Sequence, residues 1–280
     1  MQNPLGVMQG RLLPKYNGNY QAHPYGYWED EFPLAHENGL ELIEFILDFD
    51  KAYENPLINS KKIDYLANII SNSKVKVKTV CADYFMIKPF HRGSLNDINE
   101  SLSVLEKIIN NGNVIGLTDI VIPCVDNSSI STLSEIDTFI KNISKLFKLL
   151  DTSKINLSLE TDLNPDDFYK LLTKIDFDRV KVNYDIGNSA SLGFNPIEEF
   201  EAYGHLISDV HIKDRAFQGG SVILGSGASN FEVVFAELSK KNYKGPFIMQ
   251  AYRDDQGIEV FKEQLRWFKS FLDKIGWAYS

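Results

Sequence analysis

Glu160, Asp185, His211 and Gln250 each close a short run of strand-forming residues, INLSLE, VKVNYD, ISDVH and PFIMQ. Two carboxylates, an imidazole and an amide carbonyl offer three oxygens and one nitrogen. That donor set leans toward one hard divalent ion, Mn²⁺, Mg²⁺ or Co²⁺, with Zn²⁺ also accommodated, and away from a thiolate-rich zinc site. The chain therefore reads as a metal-dependent enzyme. Glu160 can also carry a proton, whereas the Gln250 amide cannot accept one near neutral pH.

Strand parity supports the grouping. Asn156, Ser158 and Glu160 share one face of their run, as do Lys181, Asn183 and Asp185, and Asp209, His211 and Lys213. The opposite faces are largely apolar, so three successive strands present polar residues to one side and apolar residues to covering helices. This predicts a polar interior, with Ser158, Asn183 and Asp209 one step below the ligands and orienting them. Buried carboxylates need a cation or hydrogen bonds, and a divalent metal supplies the first.

The elements that must position these groups alternate along the chain. Eight β-rich runs are expected at Leu5–Arg11, Leu40–Leu47, Val75–Ala82, Asp119–Val125, Ile155–Glu160, Val180–Asp185, Ile207–Ile212 and Pro246–Gln250, with amphipathic stretches between them. Asn164-Pro165 and Asn195-Pro196, each followed by acids, mark helix starts, and Gly204 marks a stop. Phe261, Leu265, Phe268, Leu272 and Ile275 form the apolar stripe of a last helix. Trp267 and Trp277 fall outside that stripe and make this helix the candidate contact of a homo-oligomer. Eight such units predict an α/β fold, a closed (β/α)₈ TIM barrel, as a single domain over residues 1–280. No Gly-rich phosphate fingerprint follows the first strand, which disfavours an open doubly wound sheet.

Bulk properties narrow the partners. Apolar residues make up 44% of the chain, and its net charge of −9 disfavours a nucleic-acid backbone as partner. No apolar run approaches the ~20 residues that span a bilayer, and MQNPLGVMQGRL lacks the features of a secretion signal. Only Cys81 and Cys124 occur, each inside an apolar run, which suits a reducing compartment. The expectation is a cytoplasmic protein acting on a small molecule, with no nucleic-acid or membrane partner.

The segments LSLE at Glu160, VNYDIGN around Asp185, DVHIKDR around His211 and PFIMQAYRD around Gln250 resemble the xylose-isomerase-like sugar isomerases and epimerases, which are (β/α)₈ barrels. GVMQGRL and GGSVILGSGASNF are similar to the sugar phosphate isomerase/epimerase subgroup. The resemblance spans nearly the whole chain, and it implies one divalent metal that binds two adjacent oxygens of a ketose. It also implies carboxylates at the ends of the fifth and eighth strands that move a proton at the carbon beside the carbonyl. Glu160 matches the first of these, and Gln250 stands where the second would be. Three readings follow: Glu160 acts alone, as an isomerase or a dehydratase of a keto-polyol; Glu44, Asp83 or Lys213 is a second base; or the barrel binds sugar without turnover. A nuclease on this fold would need a multi-metal site rich in His, and the chain has five His in all.

Substrate contacts are expected from Glu44, Asn188, Lys213, Arg215, His23 and Arg253. Lys213 and Arg215, with the Gly-rich stretch Gly219–Gly227, suggest a sugar phosphate or other anionic sugar, as against a neutral one. The first loop, with Tyr16, Tyr20, His23, Tyr25, Tyr27 and Trp28, is aromatic enough to serve as a pocket wall or lid.

Overall fold

Eight parallel strands close into a barrel in the computed structural model, which describes residues 2–280. They are β1 (Leu5–Met8), β2 (Leu42–Ile46), β3 (Thr79–Cys81), β4 (Asp119–Cys124), β5 (Asn156–Thr161), β6 (Val180–Asp185), β7 (Ile207–Ile212) and β8 (Phe247–Met249). Each strand pairs with its sequence neighbours, and β8 closes the ring on β1 with Gly6 opposite Ile248. The expected α/β barrel is therefore the observed architecture. All eight anticipated runs contain a barrel strand, although the ends of several are trimmed. β1 stops at Met8 because Gly10 takes φ +83°, a left-handed turn that breaks the ladder before Arg11.

Outward side chains such as Ile43, Phe45, Ile120, Leu157, Leu159, Val182 and Val210 are buried under the helices. Burying each such side chain contributes ~1.5–3 kcal/mol. The helix starts read from sequence are present: Asn164 Oδ1 accepts from Asp167 N at 3.0 Å, and Asn195 Oδ1 accepts from Ile197 N at 3.1 Å. Gly204 ends its helix through a 3₁₀ turn instead of a left-handed cap.

The interior differs from the expected polar lumen. Met8, Leu42, Ile46, Cys81, Val121 and Ile248 form an apolar cluster from β1–β4 and β8, and Glu44 on β2 and Asp119 on β4 join the polar groups of β5–β7 beside it. Ser158 does not orient the ligands either: its hydroxyl donates to Asp119 Oδ1 at 2.9 Å and meets Ser208 Oγ at 2.9 Å. Ser208 reaches the interior because the β6–β7 register slips by one residue between Val182↔Ile207 and Asn183↔Asp209, a bulge that turns its side chain inward.

The two tryptophans of the C-terminal segment are half-buried and also make contacts within the chain. Trp267 stacks on Phe271, and Trp277 donates to Asn3 Oδ1 at 3.0 Å and packs edge-on to Phe235. Among the described residues no helix is long and apolar enough to cross a membrane.

Candidate active site

Adjacent strands β6 and β7 place Asp185 directly beside His211, and β5 brings Glu160 to the same end of the barrel. Ligand atoms of Glu160, Asp185 and His211 lie within 4.8 Å of one another, and all three residues are buried. A second set, Glu44, Asp209 and His211, meets the same limit one layer deeper. His211 joins the two. Its Nε2 lies 2.8 Å from Glu44 Oε1, while its Nδ1 has no hydrogen-bond partner and lies 3.9 Å from Asp185 Oδ2.

The charges follow from this packing. Burial disfavours an imidazolium at His211, but the carboxylates of Glu44, Asp185 and Asp209 outweigh it and hold the pKa well above its usual value. Burial would likewise raise Asp185, yet Lys213, His211 and the Asn188 N–H bring it down to about 2. Glu160 goes the other way: burial, then the neighbouring Asp185 charge, push it up to about 7. Asp209, beneath His211, is pushed well up by burial and by Glu44, which favours its protonated form.

A lysine supplies the positive charge at this point. Lys213 Nζ donates to Asp185 Oδ2 at 3.1 Å and to Gln250 Oε1 at 3.0 Å, bridging two of the four residues read as ligands. Gly187 makes room for it, because a β-carbon there would lie 2.8 Å from Lys213 Cγ. The donor set suits a divalent cation: one unpartnered imidazole nitrogen lies with two carboxylates, and the Gln250 amide oxygen is joined to Asp185 through Lys213, the group that would give way.

Above the cluster lies a cavity of about 290 Å³, lined among others by Arg11, Gln21, Asp83, Glu160, Lys213 and Gln250. Asn188 and Arg215, read from sequence as substrate contacts, line it too and are linked. The Asn188 amide donates to Glu160 Oε1, and Arg215 Nη1 donates to Asn188 Oδ1 at 2.8 Å.

Three other expected contacts lie elsewhere. Glu44 is wholly enclosed and reaches His211 instead of the cavity. His23 is sealed among Tyr25, Trp28 and Phe45, with Nδ1 on Gln9 Oε1 at 2.8 Å, and burial lowers its pKa to about 3. Arg253 spends its guanidinium on Gly10 O and Leu13 O, both at 2.7 Å, tying the first loop to the end of β8.

The Gly-rich stretch is a nest already filled from within. Asp214 accepts from Gly225 N, Gly227 N and Ser229 N at 2.9, 2.8 and 3.1 Å, taking the N–H groups that an anion would need. Most of the aromatic loop packs on itself, with Tyr16 against Tyr25 and Tyr27. Of its rings, Tyr20 lines the cavity, beneath the Arg11 guanidinium.

Gln21 is the contact that sequence reasoning missed. Its amide donates to Asp83 Oδ2 at 2.8 Å, and its carbonyl accepts from Gln250 Nε2 at 2.9 Å and from Arg11 Nη2 at 3.0 Å. It sits mid-loop with no periodicity around it, so no local signal marks it.

The closed ring defines this chain as a (β/α)₈ barrel, and its candidate site is the group of carboxylates and imidazole that converge where β5–β7 end. The model of the xylose isomerase-like TIM barrel family matches residues 32–271, and the chain belongs to that family. It is 23% identical to an inosose dehydratase of Bacillus cereus over 66% of this chain and 69% of that protein. It is 24% identical, over 89% of this chain and 93% of the relative, to a Haemophilus influenzae protein named as an L-ribulose-5-phosphate 3-epimerase. In fold it is similar to a xylose isomerase-like barrel protein from Mycobacterium smegmatis in complex with magnesium, with a TM-score of 0.71, 17% identity, and 98% and 97% of the two chains covered.

Proposed function

We propose that this protein is a divalent-metal-dependent enzyme that moves a proton at the carbon beside the carbonyl of an uncharged ketose or keto-polyol, as an isomerase or epimerase. Glu160, Asp185 and His211 would hold the ion, with the Gln250 carbonyl as a fourth donor, and Mn²⁺, Mg²⁺ or Co²⁺ suits this set. Bound there, the metal would polarise the substrate oxygens and so acidify the neighbouring C–H. The observation that carries this reading is the convergence of Glu160, Asp185 and the unpartnered His211 Nδ1 below a polar cavity.

The chain's own groups divide the remaining work. Glu160, with its carboxyl near neutrality, is the acid/base. Asn188 fixes its orientation and Arg215 fixes Asn188. The magnesium in the Mycobacterium smegmatis relative supports the metal.

An uncharged substrate is supported by the commitments of the cations. Asp214 fills the nest, Lys213 is spent on Asp185 and Gln250, and Arg11 donates to Ala251 O, Tyr20 O and Gln21 Oε1. Asp83, Asp126, Glu160 and Asp162 line the same cavity. The matches to inosose dehydratases favour a second reading, in which loss of the same proton is followed by loss of water. Residues 1–280 act as one domain in either case, and the free thiols of Cys81 and Cys124 suit the cytoplasm.

The test incubates the Mn²⁺-loaded protein in D₂O with ketoses, ketose phosphates and inososes. Deuterium should enter the uncharged substrates beside the carbonyl. Absence of both exchange and water loss across the panel would remove the enzyme reading.

A further inference from the structure

Gln250 leaves the site one proton carrier short, and the cavity holds another carboxyl. Asp83 follows β3 at the N-terminus of the short helix Tyr84–Ile87, yet its side chain caps no backbone N–H of that helix. It turns into the cavity that Glu160 also lines.

β3 ends at Cys81, and two residues on Asp83, already in helical conformation, lines the cavity that Glu160 enters from β5. β3, which leads to Asp83, and β5, which carries Glu160, stand two strands apart in the ring, about 10 Å at ~4.8 Å per strand. Cys81 belongs to the interior cluster, and its thiol reaches the Asp83 carboxyl.

We propose that Asp83 is the second proton-transferring group of this site, meeting the substrate from the β3 side while Glu160 meets it from the β5 side. This rests on the proton-transfer reading above. The position is built. Gln21 Nε2 holds Oδ2 at 2.8 Å, the Cys81 thiol donates to Oδ1 at 3.2 Å, and Gln21 is itself held by Arg11 and Gln250. Gln250 thus supports the carboxyl that does the work a strand-eight carboxylate would otherwise do. Burial, opposed by the Gln21 and Cys81 hydrogen bonds, raises the Asp83 pKa, which favours its protonated form.

The step balances without a co-reactant. Glu160 removes H⁺ from the carbon beside the carbonyl, the C–H pair becomes the C=C of an enediolate, and the carbonyl π pair moves onto oxygen. Asp83 then gives its proton to the opposite face of that carbon, and the carbonyl re-forms. Glu160 ends protonated and Asp83 ionised, and exchange with cavity water restores both.

The experiment compares wild type, Asp83→Asn and Asp83→Ala, all Mn²⁺-loaded, on D-ketohexoses and inososes deuterated beside the carbonyl. Wash-out of deuterium reads the Glu160 step, and product formation reads the Asp83 step. Asp83→Asn should keep wash-out within about threefold while product falls ~100-fold or more. Its melting temperature and Mn²⁺ affinity should stay at wild-type values, and formate should restore product formation to Asp83→Ala. Undiminished product formation in Asp83→Asn would overturn the assignment, as would parallel loss of both readouts without formate rescue. If wild type itself neither washes out label nor forms product, the parent reading falls and this one with it.

Discussion

His211 Nε2 lies 2.8 Å from Glu44 Oε1 with both side chains fully buried, so this contact fixes which imidazole nitrogen faces the site. A carboxylate behind a ligating histidine raises its basicity and locks its ring. Glu44→Gln should therefore weaken Mn²⁺ binding about 10–100-fold while the barrel stays folded. Calorimetric titration with Mn²⁺, alongside a melting curve, checks both.

Lys213 is the internal counter-charge of Asp185. Replacing it by Met leaves a carboxylate with a 1% exposed side chain facing Glu160, and the metal-free protein should lose about 3 kcal/mol. Mn²⁺ at 100 times its Kd should return roughly 2.7 kcal/mol. Urea unfolding with and without the ion gives the two numbers, and a loss unaffected by Mn²⁺ would contradict this account.

Arg215 lines the cavity and donates to Asn188, and the Gly-rich stretch beside it is occupied by Asp214. Arg215→Ala should reduce kcat for phosphorylated and unphosphorylated ketoses by the same factor. A selective rise in KM for the phosphorylated sugar would show that Arg215 binds phosphate.

Gly227 is required by the same nest: a β-carbon there would lie 2.3 Å from Asp214 Oδ1 and 2.5 Å from Arg215 O. Gly227→Ala should destabilise the fold by about 1–3 kcal/mol through overpacking. It should also lower activity through Arg215, whose backbone takes the strain. Chemical denaturation and steady-state rates report the two effects.

Glu31 accepts from Gly10 N at 2.6 Å and Leu12 N at 3.0 Å, and burial still lifts its pKa from 4.5 to about 7. The folded state then holds this proton longer than the unfolded state. Its stabilisation is complete below pH 4.5 and is lost as pH rises to 7, by about 3 kcal/mol. Glu31→Gln removes that slope, so the difference in stability between variant and wild type should change by this amount between pH 4.5 and 7.5. A constant difference across that range would refute it.

The barrel was legible because eight short strand-forming runs alternate with amphipathic stretches, and parity placed Glu160, Asp185 and His211 on the polar faces of theirs. Parity failed at Ser208, where a one-residue slip that no composition announces turned the side chain inward. It also gave no warning of the apolar cluster that β1–β4 and β8 place inside the barrel, since a fully buried strand can be apolar on both faces.

By itself the sequence determined the (β/α)₈ barrel and the donor types at its strand ends, because strand periodicity and chain order are local properties. Tertiary structure alone decided that Glu44 lies behind His211, that His23 and Arg253 brace the first loop, and that Asp214 fills the Gly-rich nest. It also decided that Asp83 and Gln21 share a cavity with Glu160. Glu44 and His211 are separated by 167 residues, as are no motif's members, and only closure of the ring brings such groups within hydrogen-bond reach.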